Sequence, residues 1–215
     1  MPPTTDFRIH HYFTTPQLEV FRRLRGQRLL ALYTLEEMAP HSSEWSNVHA
    51  ANFSLPGTVH LITSSENINF WELSSRSQPE TPLGDYWTLD LEMTGTQAPG
   101  QYKSDFVQRQ ISGGGFSLST NEIIRSIDIY GVRGTFQYAK GDGTSAVVHL
   151  DIQLDTLVAL HFDSGNLCAL YGSLHGNMTR LSFLPKEIAS GYLASLQEGT
   201  NMLDISLYQL QHHIE

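Results

Sequence analysis

Cysteine is almost missing from this chain: Cys168 is the only one in 215 residues. No intramolecular disulfide can form, and the sequence suits a reducing compartment. Its apolar neighbours, LCALY, make it a small buried thiol rather than a nucleophile. Charge is scarce as well, at 16% of residues, where soluble domains carry about 25%. What charge there is leans one way, with 22 acidic residues against 13 basic ones and a formal net charge of -9. Displacing counterions from nucleic acid takes a basic surface, so the balance argues against DNA or RNA as a partner. It suits a basic protein partner, drawn in by electrostatic steering.

No apolar run approaches the roughly 18 residues of a membrane-crossing helix, so no membrane association is expected. The opening MPPTTDFRIHHYF has no basic segment followed by an apolar one, so nothing marks it for secretion and a cytoplasmic location is expected. The sequons at Asn52 and Asn177 then carry little meaning. The common catalytic signatures are missing too: there is no G-x-S-x-G elbow, no H-E-x-x-H and no Cys-x-x-Cys pair. No cofactor and no catalytic residue are assigned.

What is present is an internal echo. Residues 53–73, FSLPGTVHLITSSENINFWEL, align without a gap with residues 152–172, IQLDTLVALHFDSGNLCALYG, at an offset of 99 residues (152 − 53). Leu55, Val59, Leu61, Ser65 and Asn67 meet Leu154, Val158, Leu160, Ser164 and Asn166. The echo predicts two related β-rich halves, residues 1–95 and 96–215, either separate or around one core. With 40% hydrophobic residues, a chain of this length buries roughly 70% of its unfolded surface.

Local patterns fill in the halves. Thr15, Pro16, the apolar Leu18, Val20, Phe21 and Leu24, and then Gly26 predict a helix over 16–25. Arg22, Arg23 and Arg25 complement its dipole and read as a solvated face rather than an anion site. Strands are predicted at 28–36, on both sides of Pro56-Gly57, and at 87–93, where Trp87, Leu89, Leu91 and Met93 alternate with polar residues. Further strands fall around Ile123 to Ile129, at 135–139, 145–154 and 202–210, with a helix after Pro185. Residues 38–46 and 74–84 read as loops, 94–104 as a connector and 105–111 as a short helix broken by Ser112 and three glycines. Turns outnumber crossovers, so the fold expected is α+β, mainly β, with antiparallel sheets and a few short helices.

Two glycine motifs fail on context. Gly141-Asp142-Gly143-Thr144-Ser145-Ala146 matches a dinucleotide fingerprint, but a strand follows where a helix is required, so it reads as a hairpin turn. Ser112 to Gly115 lacks the Lys-Ser/Thr of a phosphate loop. His10-His11 and His212-His213 read as surface tails, since adjacent histidines point to opposite faces of a strand.

Two candidate sites remain. A three-residue loop at Asp155, Thr156 and Leu157 would keep six apolar residues on one face and set Asp151 opposite His161, with His149 beside them. Such a group could couple acid and base or bind a metal. The other is Trp45 with Glu36, Glu37 and Glu44, an aromatic anchor in an acidic patch. The function expected is therefore a non-catalytic acidic protein that caps a basic partner, as bacterial toxin-immunity proteins do. The alternative is a small-ligand- or metal-binding enzyme with its site at the junction of the halves. Oligomeric state is not legible.

Overall fold

The structure, a computed structural model, describes residues 4–34, 41–44, 50–56, 58–66, 68–81, 84–93, 116–139, 147–172, 178–198 and 206–215. Within them the chain is mainly β, and the strands follow from alternation. In β5 (Val59–Ser64) the residues Val59, Leu61 and Thr63 are buried while His60, Ile62 and Ser64 are half-buried, the period of two that one buried face imposes. The first helix, α1 (Thr15–Leu24), starts where the Gln17 side chain turns back to accept the backbone N–H of Thr14 at 2.7 Å, satisfying one of the donors a helix start leaves free. It buries Phe21 and Leu24 and ends before Gly26, whose φ of 76° is left-handed, a conformation glycine adopts without strain. Gly26 donates its N–H to the Ile124 carbonyl at 2.8 Å, and Ile124 donates back to Gln27 at 2.9 Å.

Those bonds stitch α1 to β8 (Phe116–Ala139), the organising strand. Its first residues pair with β2 (Arg28–Thr34), and from Ile124 onward it pairs with β9 (Val147–Phe162). β2 continues to β5, then β6 (Ile68–Thr81) and β7 (Gly84–Met93). β9 continues to β10 (Leu167–Gly172), β11 (Met178–Leu184) and β4 (Ala51–Pro56). Every neighbour on this path is antiparallel. Three strands lie off it: β1 (Thr4–His11) runs parallel to β9, β3 (His41–Glu44) runs parallel to β8, and β12 (Ser206–Ile214) runs antiparallel to β8.

β7 comes close to β9 and β10, and β6 to β11, which brings the two arms of the sheet together. Between them lies one buried cluster that includes Phe21, Leu61 and Trp71 from the first half and Ile127, Leu160 and Phe183 from the second. A smaller cluster lies on the other face of β8 and β9. There Tyr130, Leu157 and Ala159 are covered by Ala189 of α2 (Lys186–Glu198), the helix expected after Pro185.

Several sequence expectations are corrected. Pro56-Gly57 does not close a hairpin, because β4 pairs with β11 while β5 pairs with β2 and β6. No loop forms at Asp155 to Leu157 either. β9 runs through as a single strand because β8 is long enough to pair with all of it, and Thr156 is absorbed as a bulge between the pairs Gly131↔Asp155 and Tyr130↔Leu157. The strands read at Ile123 to Ile129 and at 135–139 are one. Residues 74–81 are strand, not loop, and 41–44 form β3. The final strand sits at 206–214. His10-His11 and His212-His213 belong to β1 and β12 rather than to tails.

Each echoed stretch does turn near its matched serine, bending at Ser65 and Glu66 and at Asp163 to Gly165. Val59 pairs with Leu73, while the aligned Val158 pairs with Leu170 rather than Gly172. A two-residue offset preserves which side chains face the core. The connector at 94–104, the helix at 105–111 and the two glycine motifs lie outside the described residues.

Candidate functional site

Ile127 and Ile129 of β8 face the main core, so Asp128 and Tyr130 point to the opposite face. Asp128 is only 8% exposed, and a buried carboxylate requires partners. It has two imidazoles. His161 of β9 donates from Nε2 to Oδ2 at 2.8 Å, and His213 of β12 donates from Nδ1 to Oδ1. Strand register explains both contacts. His213 stands directly across from Asp128, and His161 stands across from Ser126, one diagonal step away. The second nitrogen of His213 reaches Glu215 Oε1 at 3.1 Å, and the Tyr130 hydroxyl lies 3.4 Å from Asp128 Oδ2.

The electrostatics follow from these contacts. Burial works to raise the Asp128 pKa, but the hydrogen bonds and charges of His161 and His213 outweigh it and hold the carboxyl below its ordinary value. Hydrogen bonds to Asp128 and Glu215 push His213 above its ordinary value. Burial, reinforced by the charge of Asp128, pushes Tyr130 up to about 12. The arrangement fixes two imidazoles on one carboxylate and favours the cationic form of His213.

His213 also lines a cavity of about 230 Å³ with Arg22, Arg25, Ile214 and Glu215. Arg22 comes from α1 and Arg25 from its C-cap, and the Gly26 and Gln27 bonds to Ile124 fix that end beside β8. A bulge lies between Ile124 and Ser126, where Arg125 is exposed. The cavity therefore takes residues from both sequence halves.

The expected trio of His149, Asp151 and His161 does not come together. Asp151 and His161 lie ten residues apart on one strand, about 30 Å at the usual rise. Asp151 instead meets His10 Nε2 at 3.1 Å, and His149 Nδ1 lies 3.7 Å from Asp6 Oδ1, both across the β1–β9 pairing. His161 alone enters the cluster, through Asp128. No three His, Cys, Asp or Glu side chains among the described residues are placed to hold a metal ion. Glu44 ends β3, and Glu36, Glu37 and Trp45 lie outside the described residues.

Sequence reasoning passed over Asp128, Tyr130 and His213. The isoleucines at 123, 127 and 129 did signal a strand whose other face carries Asp128 and Tyr130. His213 gave no signal, because nothing local says which strand β12 joins. No family model matches the chain, and no curated protein or solved structure is significantly similar to it.

Proposed function

We propose that this chain is a small-ligand-binding protein whose site lies where its two sequence halves meet. The observation that carries the proposal is the cavity between α1 and the end of β12, lined by Arg22 and Arg25 from one half and His213 and Glu215 from the other. Pockets concentrate at such junctions, where a few convergent polar groups orient a ligand. Asp128 supports it from behind by holding His213 in place. A thermal-shift screen of metabolites and divalent metals tests it, since any ligand of the folded state raises Tm. The expected result is a hit whose stabilisation disappears in His213→Ala. A hit that His213→Ala leaves unchanged would place binding elsewhere.

A second function is favoured by charge. An acidic protein with 22 carboxylates against 13 basic groups suits a basic protein partner, and capping the basic active site of a toxin, as immunity-type proteins do, needs no catalysis. Native mass measurement of protein purified gently from its source cell should show a stoichiometric basic partner that leaves as salt rises. Finding the chain without such a partner at low salt would contradict that function.

A further inference from the structure

The α1–β12 cavity has an unusual occupant in an acidic protein: one exposed carboxylate ringed by cations. The Glu215 side chain is 82% exposed and hangs on His213 by a single contact of 3.1 Å. Its pKa is lowered first by that hydrogen bond and the His213 charge, then by Arg25 and Arg125. Arg22, which pairs with Glu19, lines the same cavity. Arg22 and Arg25 at the end of α1 and His213 of β12 thus line one cavity, Arg125 of β8 acts on Glu215 through its charge, and Glu215 marks where an anion is stabilised.

We infer that this cavity is a binding site for a small tetrahedral oxyanion, inorganic phosphate or the terminal group of a phosphomonoester, which replaces the Glu215 carboxylate. The inference rests on the junction-site proposal and names its ligand class. Four features support it. Guanidinium groups bind such anions through paired, directional N–H donors, so Arg25, which lines the cavity, supplies what a single imidazole cannot. His213 keeps its Nδ1 proton on Asp128 and presents Nε2–H to the cavity, so the imidazole is already oriented as a donor. With the exposed Glu215 side chain turned to solvent, Arg22, Arg25 and His213 still line the cavity, Arg22 paired with Glu19 and His213 with Asp128. A volume of about 230 Å³ equals roughly seven or eight waters at liquid density, room for an oxyanion and part of its hydration shell.

The same logic disfavours a metal ion. Metal ligation needs imidazole lone pairs aimed at one point, whereas His161 Nε2 and His213 Nδ1 both point at the Asp128 carboxylate. Two guanidinium groups would repel a cation further.

The test uses the full chain, with inorganic phosphate and glycerol 1-phosphate titrated against sodium chloride at matched ionic strength. Readouts are Tm and calorimetric Kd. Phosphate at ten times Kd should raise Tm by about 3 °C or more beyond chloride. Glu215→Gln should bind at least about threefold more tightly, because the competing carboxylate is neutral, while Arg25→Ala and His213→Gln should each bind about tenfold more weakly. Arg8→Ala, on β1, serves as the control and should bind as the parent does. Preference for glycerol 1-phosphate assigns the site to a phosphomonoester, and equal binding assigns it to the free anion. Phosphate stabilisation no greater than that of chloride, in both the parent and Glu215→Gln, overturns the oxyanion inference. If another compound in the same screen then stabilises the parent but not His213→Gln, the junction site stands with a different ligand. If none does, both fall.

Discussion

Asp128 shows how a single buried residue sets the chemistry around it. Its carboxylate is nearly inaccessible and accepts from two imidazoles, so replacing it with asparagine leaves two donors facing a neutral amide. Asp128→Asn should cost roughly 1 to 3 kcal/mol at neutral pH, measured by urea denaturation, and should bring the Tyr130 pKa down from about 12 in a spectrophotometric titration. The folded pKa of His213 lies above its ordinary value of 6.5. Its contribution to stability is therefore complete below that value and is lost as pH rises through the raised one. The side chain is 45% exposed, so solvent screening keeps the effect to about 1 kcal/mol or less. Trp71 is a different case. It is 1% exposed and donates from Nε1 to Thr63 Oγ1 at 2.7 Å, and Thr63 in turn donates to Gln27. Trp71→Phe should cost about 2 to 4 kcal/mol, from lost volume and a lost buried bond. Burial of the single cysteine was legible from its neighbours, and Cys168 is fully buried. The role of Asp128 was not, because it depends on partners 33 and 85 residues away.

At the scale of elements, β5 carries a titratable imidazole on its half-buried face. His60 stacks on Tyr33 of β2 with ring centroids 4.6 Å apart, and burial lowers its pKa to about 4. The neutral form is the one the fold accommodates. His60 leaves stability unaffected above pH 6.5 and lowers it as pH drops toward 4, because its unfolded form takes up a proton that the folded one refuses. His60→Phe should flatten that acid limb in a series of denaturation curves. Losing the limb only on replacing a different histidine would contradict the assignment. Gly26, just past the end of α1, has φ 76° with open space where a Cβ would sit, so Gly26→Ala meets backbone strain alone, about 1 kcal/mol. The elements most legible in the sequence were those with caps or strict alternation: α1, α2, β5 and β7. Those misread were set by tertiary pairing. Residues 74–81 carry serine, proline and glutamate yet form strand because β7 lies alongside. The register at Asp155 was misjudged because apolar alternation cannot reveal a bulge, and the correct partner of β9 at that point is β8 rather than β9 itself.

For the whole molecule, the decisive feature is a buried cluster drawn from both halves, with β8 pairing to β2 on one arm and to β9 on the other. Such a core should unfold in one cooperative transition. Residues 1–95 expressed alone should lack a folded near-UV signal, since they would lose β8 and β11 as partners for β2 and β4. A fragment that melts cooperatively would contradict this. The mainly β, antiparallel character was legible from turn spacing and alternation, while the closure of the arms on each other was not, because it depends on contacts between distant strands. The cavity depends on β8 instead, which holds the end of α1 through Ile124 and pairs with β12. At the cavity's edge, Asp128 raises the His213 pKa and so favours its cationic form. A pH titration of the imidazole ring resonances by NMR, in the parent and in Asp128→Asn, measures this directly. The expected result is a His213 pKa above 6.5 in the parent and a fall toward the ordinary value in the variant. A parent value at or below 6.5, or one unmoved by Asp128→Asn, would contradict it.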